Sequence, residues 1–142
     1  MIMSNETGQA AAALIGRLLL ASLFLLEGWS KLAGYGAAAG YMERFAVPSV
    51  LLPAVILVEI CGGLAVLIGW QARLAALALA LFCIAAALLF HTNFADRNQL
   101  LHFEKDLAIA GGLLVLAAFG PGRYSLAGRR EARSRPAQAL QS

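Results

Sequence analysis

Long apolar runs dominate this chain, and they leave it few folds. In "LLLASLFLL" (18–26) eight of nine residues are apolar. Crossing the hydrocarbon takes about 20 such residues, and a helix satisfies its own backbone hydrogen bonds there. Four spans are expected, at about 10–32, 50–69, 72–90 and 99–119. The second has Ser49 as its N-cap and Pro53 in its first turn, where proline is tolerated. The fourth is centred on "LAIAGGLLVLAAFG", too short to span alone, so it reaches back to near Gln99, and "GPGRYS" stops it. The composition agrees: 61% hydrophobic and 13% charged residues, against about 25% charged in an ordinary soluble domain, with a mean hydropathy of +0.75. The expected fold class is all-α, an integral membrane four-helix bundle.

The basic residues set its orientation. Five of eleven fall in the last twenty positions, namely Arg123, Arg129, Arg130, Arg133 and Arg135. A basic tail beside a membrane helix marks the cytoplasmic side, so the net charge of +3 points to no nucleic-acid partner. Arg73 marks the short connection at Trp70 and Gln71 as cytoplasmic too. Both termini then lie inside, with Arg17 snorkelling to the inner surface. The first nine residues lack a basic n-region, so the first run is read as a retained helix. Residues 10–127 form one transmembrane domain, 1–9 a cytoplasmic N-terminus and 128–142 a basic, disordered cytoplasmic tail. In the longer connection, 33–49, "AAAGYMERFAVP" suits a short interfacial helix with Tyr41, Met42 and Phe45 facing lipid.

Against this background the ionisable residues stand out, because a charge in the hydrocarbon costs roughly 2.5–3.5 kcal/mol on insertion scales. Glu27 and Lys31 end the first helix. Glu59 lies about nine residues into the second, roughly 13 Å deep. His91 ends the third, and His102, Lys105 and Asp106 occupy the first turns of the fourth. Helical phase puts Glu27 with Lys31, Glu59 with Gly62 and Gly63, and His102, Lys105 and Asp106 in one arc, with Glu104 elsewhere. Small residues mark close helix approach in membranes. The charged faces therefore pack inward, around an outward-opening polar cavity. Plainer accounts exist. Glu27 and Lys31 form a self-neutralising i,i+4 pair, the histidines suit an interface, and Glu59 could be structural glue through Lys31 or Lys105. Cys61 and Cys83 come to similar depth without any CxxC spacing and are more simply core residues than a redox pair. Sequence spacing supports no metal site, although His91, His102 and a carboxylate are the residues that could form one.

The segments "GRLLLASLFLLEGWSKL" (16–32), "VEICGGLAVLIGWQARLAAL" (58–77) and "FEKDLAIAGGLLVLAAFGPGRYSL" (103–126) resemble the DoxX family of small prokaryotic membrane proteins. The likeness rests on the order of Gly16-Arg17, Gly28, Lys31-Leu32, Glu59 with Gly62-Gly63, Arg73, Lys105-Asp106-Leu107 and Gly120-Pro121-Gly122-Arg123. It implies a multi-pass protein of the bacterial inner membrane, with Lys31, Glu59 and Lys105 as polar-core positions. Some members of that family are associated with quinone-linked thiosulfate oxidation or with complexes handling oxidative and thiol stress.

The first functional expectation is a redox subunit that holds a quinone-like molecule in the outer cavity. Glu27, Lys31, Glu59, Lys105 and Asp106 are the candidate catalytic residues; His91 and His102 are candidate cofactor contacts. The chain has no haem spacing, Fe–S cysteines or nucleotide loop, so a partner protein supplies electrons. The alternatives are a non-catalytic scaffold subunit and a proton-coupled small-solute transporter. The bilayer is the expected partner, with a homo-oligomer or redox proteins beside it.

Overall fold

The computed structural model describes residues 6–130. The remainder of the basic tail, with Arg133 and Arg135 and the expected disorder, lies outside the described residues. Among the described residues the chain is all helical: α1 (Glu6–Ala33), α2 (Tyr35–Arg44), a 3-10 turn (Ser49–Leu51), α3 (Leu52–Ile68), α4 (Ala72–Phe90) and α5 (Arg97–Phe119).

Three helical segments are long and apolar enough to cross a membrane: Glu6–Ala33, Ser49–Ile68 and Ala72–Phe90. In α5 the first turns hold His102, Glu104, Lys105 and Asp106, so its apolar part begins only at Leu107. The outward faces are greasy: Leu26, Leu57, Leu74 and Val115 are all exposed. An exposed apolar girdle of this extent suits lipid as its solvent.

The helices stand antiparallel in the order α1, α3, α4, α5. Along α1 and α3, Gly28 meets Ile60, while Gly63 meets Leu25 and the Ala21 carbonyl. A Cβ on Gly28 would fall 2.7 Å from Ile60 Cγ1 and 3.2 Å from Glu59 Cβ, so only glycine allows this approach. The shared core is small-residue rich, with Ala21, Ala76, Ala80 and Ala110 around Leu79 and Leu113. That composition brings helices close where hydrophobicity gives no net drive between them.

Several ends differ from the sequence reading. The start of α1 lies at Glu6, four residues before the apolar run; hydropathy alone cuts the helix short, while the acid Glu6 in the first turn favours the helix N-terminus. No side chain caps α3, and Pro53 sits in its first turn. The Ser49 hydroxyl instead donates to Glu43 Oε1 at 2.6 Å, tying α2 to the 3-10 turn. Asp96 caps α5 by accepting from the Asn98 amide at 2.8 Å, and Gly120, at φ 85°, closes it. The lipid-facing assignment on α2 is corrected. Met42 is buried against Leu52 and Ile56, and Tyr41 and Phe45 pack on Phe90 of α4 at centroid distances of 5.7 and 5.4 Å, Phe45 edge-on, although Tyr41 stays exposed on its outer side. The helix folds back on the bundle because this apolar cluster is available beneath it.

Arg17 also departs from expectation. It does not snorkel. It is 3% exposed and donates to the Pro121 carbonyl through Nη1 and to the Tyr124 carbonyl through Nη2, each at 2.7 Å. The guanidinium thus clamps the segment leaving α5 against α1. Carbonyls freed by the Gly-Pro-Gly turn give the guanidinium charge-assisted partners within the protein.

Candidate functional site

A cavity of about 400 Å³ opens at the end of the bundle opposite Arg17. All seven residues singled out in the sequence line it: Glu27 and Lys31 from α1, Glu59 from α3, His91 just past α4, and His102, Lys105 and Asp106 from α5. Glu104, on the other side of α5, does not. The remaining wall is apolar, with Phe24, Phe82, Phe90 and Val55, and α2 contributes Tyr41 and Met42. Partial burial pushes the Tyr41 hydroxyl above the ordinary tyrosine range, so it stays protonated and can donate.

The polar groups form two clusters. On the α1–α3 wall, Lys31 Nζ donates to Glu59 Oε1 at 2.8 Å and to Glu27 Oε2 at 3.3 Å. The two acids differ in environment: Glu59 is 3% exposed, whereas Glu27 is open at the surface. Glu59 Oε2 is buried and has no hydrogen-bond partner. A carboxylate oxygen in that state is an acceptor waiting for a donor.

On the α4–α5 wall, the His91 Nδ1 and Gln99 Oε1 atoms are 2.7 Å apart. His91 Nε2 faces Asp106 Oδ2 at 3.8 Å. The two ring nitrogens of His91 thus face different partners, the Gln99 amide oxygen and the Asp106 carboxyl. His102 stacks on His91 at 5.0 Å between centroids, and Lys105 donates to His102 Nδ1 at 3.3 Å. Sequence reasoning placed Tyr41 on the lipid side and Gln99 at the start of the fourth span, and gave neither a role in the site. Neither is ionised at neutral pH and neither falls in an apolar run, so no burial argument drew notice to them.

Among the described residues no three His, Cys, Asp or Glu side chains converge as a metal site would need. Both cysteines are free thiols. Cys61 is exposed, while Cys83 is buried in the cavity wall.

Comparison with known proteins gives the chain its family. The DoxX family profile matches residues 12–92, from α1 through the end of α4. The chain belongs to the DoxX family. Among its relatives, the inner membrane protein YqjF of Escherichia coli (strain K12) is 48% identical over 113 residues, covering 80% of this chain and 87% of that protein. The inner membrane protein YphA of the same organism is 29% identical over 120 residues, covering 80% of this chain and 86% of that protein. No solved structure matches the chain. The DoxX match contains Glu27, Lys31, Glu59 and His91 and ends before α5, so the α5 wall lies outside the matched profile.

Proposed function

We propose that this DoxX-family protein is a four-span protein of the bacterial inner membrane that holds a quinone-like small molecule in the cavity, as a subunit of a redox assembly. Residues 10–127 form its membrane domain. The arginine end and both termini face the cytoplasm, by the excess of basic residues there. Two of its relatives are named inner membrane proteins, which supports the location.

Glu59 carries this reading. A buried carboxylate with one oxygen held by Lys31 and the other unpartnered, in a cavity with aromatic walls, is arranged to meet a donor from an occupant. Ligand cavities of about 300–1,000 Å³ with a few convergent polar groups are typical of small-molecule sites, and the volume of about 400 Å³ with Phe24, Phe82 and Phe90 in the wall supports a ring-sized occupant. A quinone headgroup supplies uptake and release of two electrons and two protons at its ring oxygens. Glu59 Oε2 would orient the reduced, quinol form of such a ring by accepting from its hydroxyl. Lys31 would stabilise negative charge on an oxygen. His91 with Asp106 would hold a proton on the opposite wall. Electrons come from a partner protein.

The test is titration of the purified protein with decylubiquinone in both oxidation states, in a non-ionic detergent. Saturable binding that weakens at least tenfold in Glu59→Gln supports the reading. No saturable binding, or binding indifferent to Glu59→Gln, overturns it.

One observation favours the scaffold reading. Lys31 already answers two acids and ties α1 to α3, which is what a non-catalytic brace would do. Under that reading Glu59→Gln alters stability or assembly and leaves any associated redox activity intact.

A further inference from the structure

A second cavity, of about 720 Å³, lies at the other end of the bundle, between the α3–α4 turn and the segment that leaves α5. Its charge is one-sided. Arg73, Arg123 and Arg130 line it, with Glu6 as the one acid among its described lining residues. Arg17 approaches it from beneath: its Nη1 would lie 3.2 Å from a Cβ on Gly69, which is part of the wall.

Among the described residues none of these four arginines forms an ion pair, and the three ion pairs present all belong to the opposite cavity. Arg17 donates to the Pro121 and Tyr124 carbonyls, and Arg73 donates to the Ala118 carbonyl at 2.7 Å. Carbonyls satisfy hydrogen bonds but carry no net charge, so among the described lining residues Glu6 is the one acid set against this cluster of arginines. Arg17 Nε, fully buried, has no partner at all. Arg73, Arg123 and Arg130 are exposed and Arg17 is buried; a cluster of cations in such excess over its counter-charge favours a bound anion.

The shape of the wall specifies the anion further. The helix α4 begins at this cavity with no side-chain cap, which adds its positive dipole end to the arginines. Guanidinium forks match the paired oxygens of phosphate better than a single-atom anion. Trp70 and Phe119 flank the cavity with 51% and 82% of their surfaces exposed, an apolar border where acyl chains could lie. Basic pockets between membrane helices take anionic headgroups.

We infer that this cavity is a phosphate-oxyanion site, with Arg123 and Arg130 as the direct ligands and Arg17 and Arg73 as the fixed field behind them. The phosphate comes either from an anionic phospholipid headgroup or from the free ion, and the experiment separates the two. The full-length protein, in a non-ionic detergent, is titrated with dihexanoyl phosphatidylglycerol, dihexanoyl phosphatidylcholine and inorganic phosphate, with native mass spectrometry and tryptophan emission as readouts.

The expected result is phosphatidylglycerol binding at least tenfold tighter than phosphatidylcholine. An Arg123→Gln, Arg130→Gln double variant should lose at least tenfold in phosphatidylglycerol affinity, while Arg97→Gln at the opposite end of the bundle leaves it unchanged. Inorganic phosphate that binds as tightly as phosphatidylglycerol and displaces it assigns the site to the free ion. Phosphate that binds at least tenfold more weakly assigns it to the lipid. Equal affinity for phosphatidylglycerol and phosphatidylcholine in the unmutated protein, a double variant that folds and binds like it, or no binding of either phosphate source overturns the inference.

Discussion

Lys31 Nζ stands 2.8 Å from Glu59 Oε1, across the interface between α1 and α3. The same ammonium reaches Glu27 Oε2 at 3.3 Å, one turn back on its own helix. The lysine is therefore shared, but unequally. Glu27 is exposed, whereas Glu59 is buried and depends on Lys31.

Lys31→Met is expected to destabilise the protein by about 3–5 kcal/mol, the penalty for stranding one member of a buried pair. Glu27→Gln should change stability by less than about 1 kcal/mol, as an exposed pair does. The double variant Lys31→Met, Glu59→Leu should recover most of the loss, because the only acid left without its partner is the exposed Glu27. Unfolding in mixed micelles with increasing SDS measures all three. Equal losses for Lys31→Met and Glu27→Gln would contradict the unequal sharing.

Gly28 allows that contact. Its would-be Cβ lies 2.7 Å from Ile60 Cγ1, so Gly28→Val should cost about 1–3 kcal/mol by overpacking and should move Lys31 away from Glu59. Gly16→Ala, with nothing within 4 Å of the added carbon, should cost nothing. The same SDS titration, applied to both variants, separates a packing glycine from a merely helical one.

Arg17 makes an analogous contact at the other end. Arg17→Met leaves the Pro121 and Tyr124 carbonyls without their donor, and a loss of about 3 kcal/mol is expected from two charge-assisted bonds. Arg17→Lys keeps the charge but lacks the fork that serves two carbonyls at once, so it should restore only part. Limited proteolysis at residues 120–125 gives the local readout: cleavage should accelerate in Arg17→Met before global unfolding does. Unchanged cleavage would mean that the exit segment holds itself.

The topology has a direct test. With four spans and the arginine end inside, alkaline phosphatase fused after Gly128 should be inactive, and the same enzyme inserted between Asn93 and Asp96 should be active. Activity at both positions would leave α5 on the outer surface and reduce the spans to three.

The apolar runs made most of the fold legible, because lipid imposes a length and a hydropathy on whatever crosses it. The bounds expected for the helix at Ala72–Phe90 coincide with α4, and those at 99–119 differ from α5 only by the Asp96 cap, a polar signal outside the apolar run. The level of the cavity was legible for a related reason. Charges are scarce in such helices, so Glu27, Lys31, Glu59, His91, His102, Lys105 and Asp106 stood out, and depth follows from counting residues along a helix.

Lateral relations were not legible, since a one-dimensional pattern gives a residue its depth and phase on one helix but not the distance to the next. Which acid Lys31 meets, that Met42 turns inward while Ser49 reaches Glu43, and that Arg17 is buried on carbonyls all depend on how closely neighbouring helices pack. That spacing is set by contacts such as Gly28 against Ile60 and Ala21 against Gly63, where a change of one carbon alters the partner within reach.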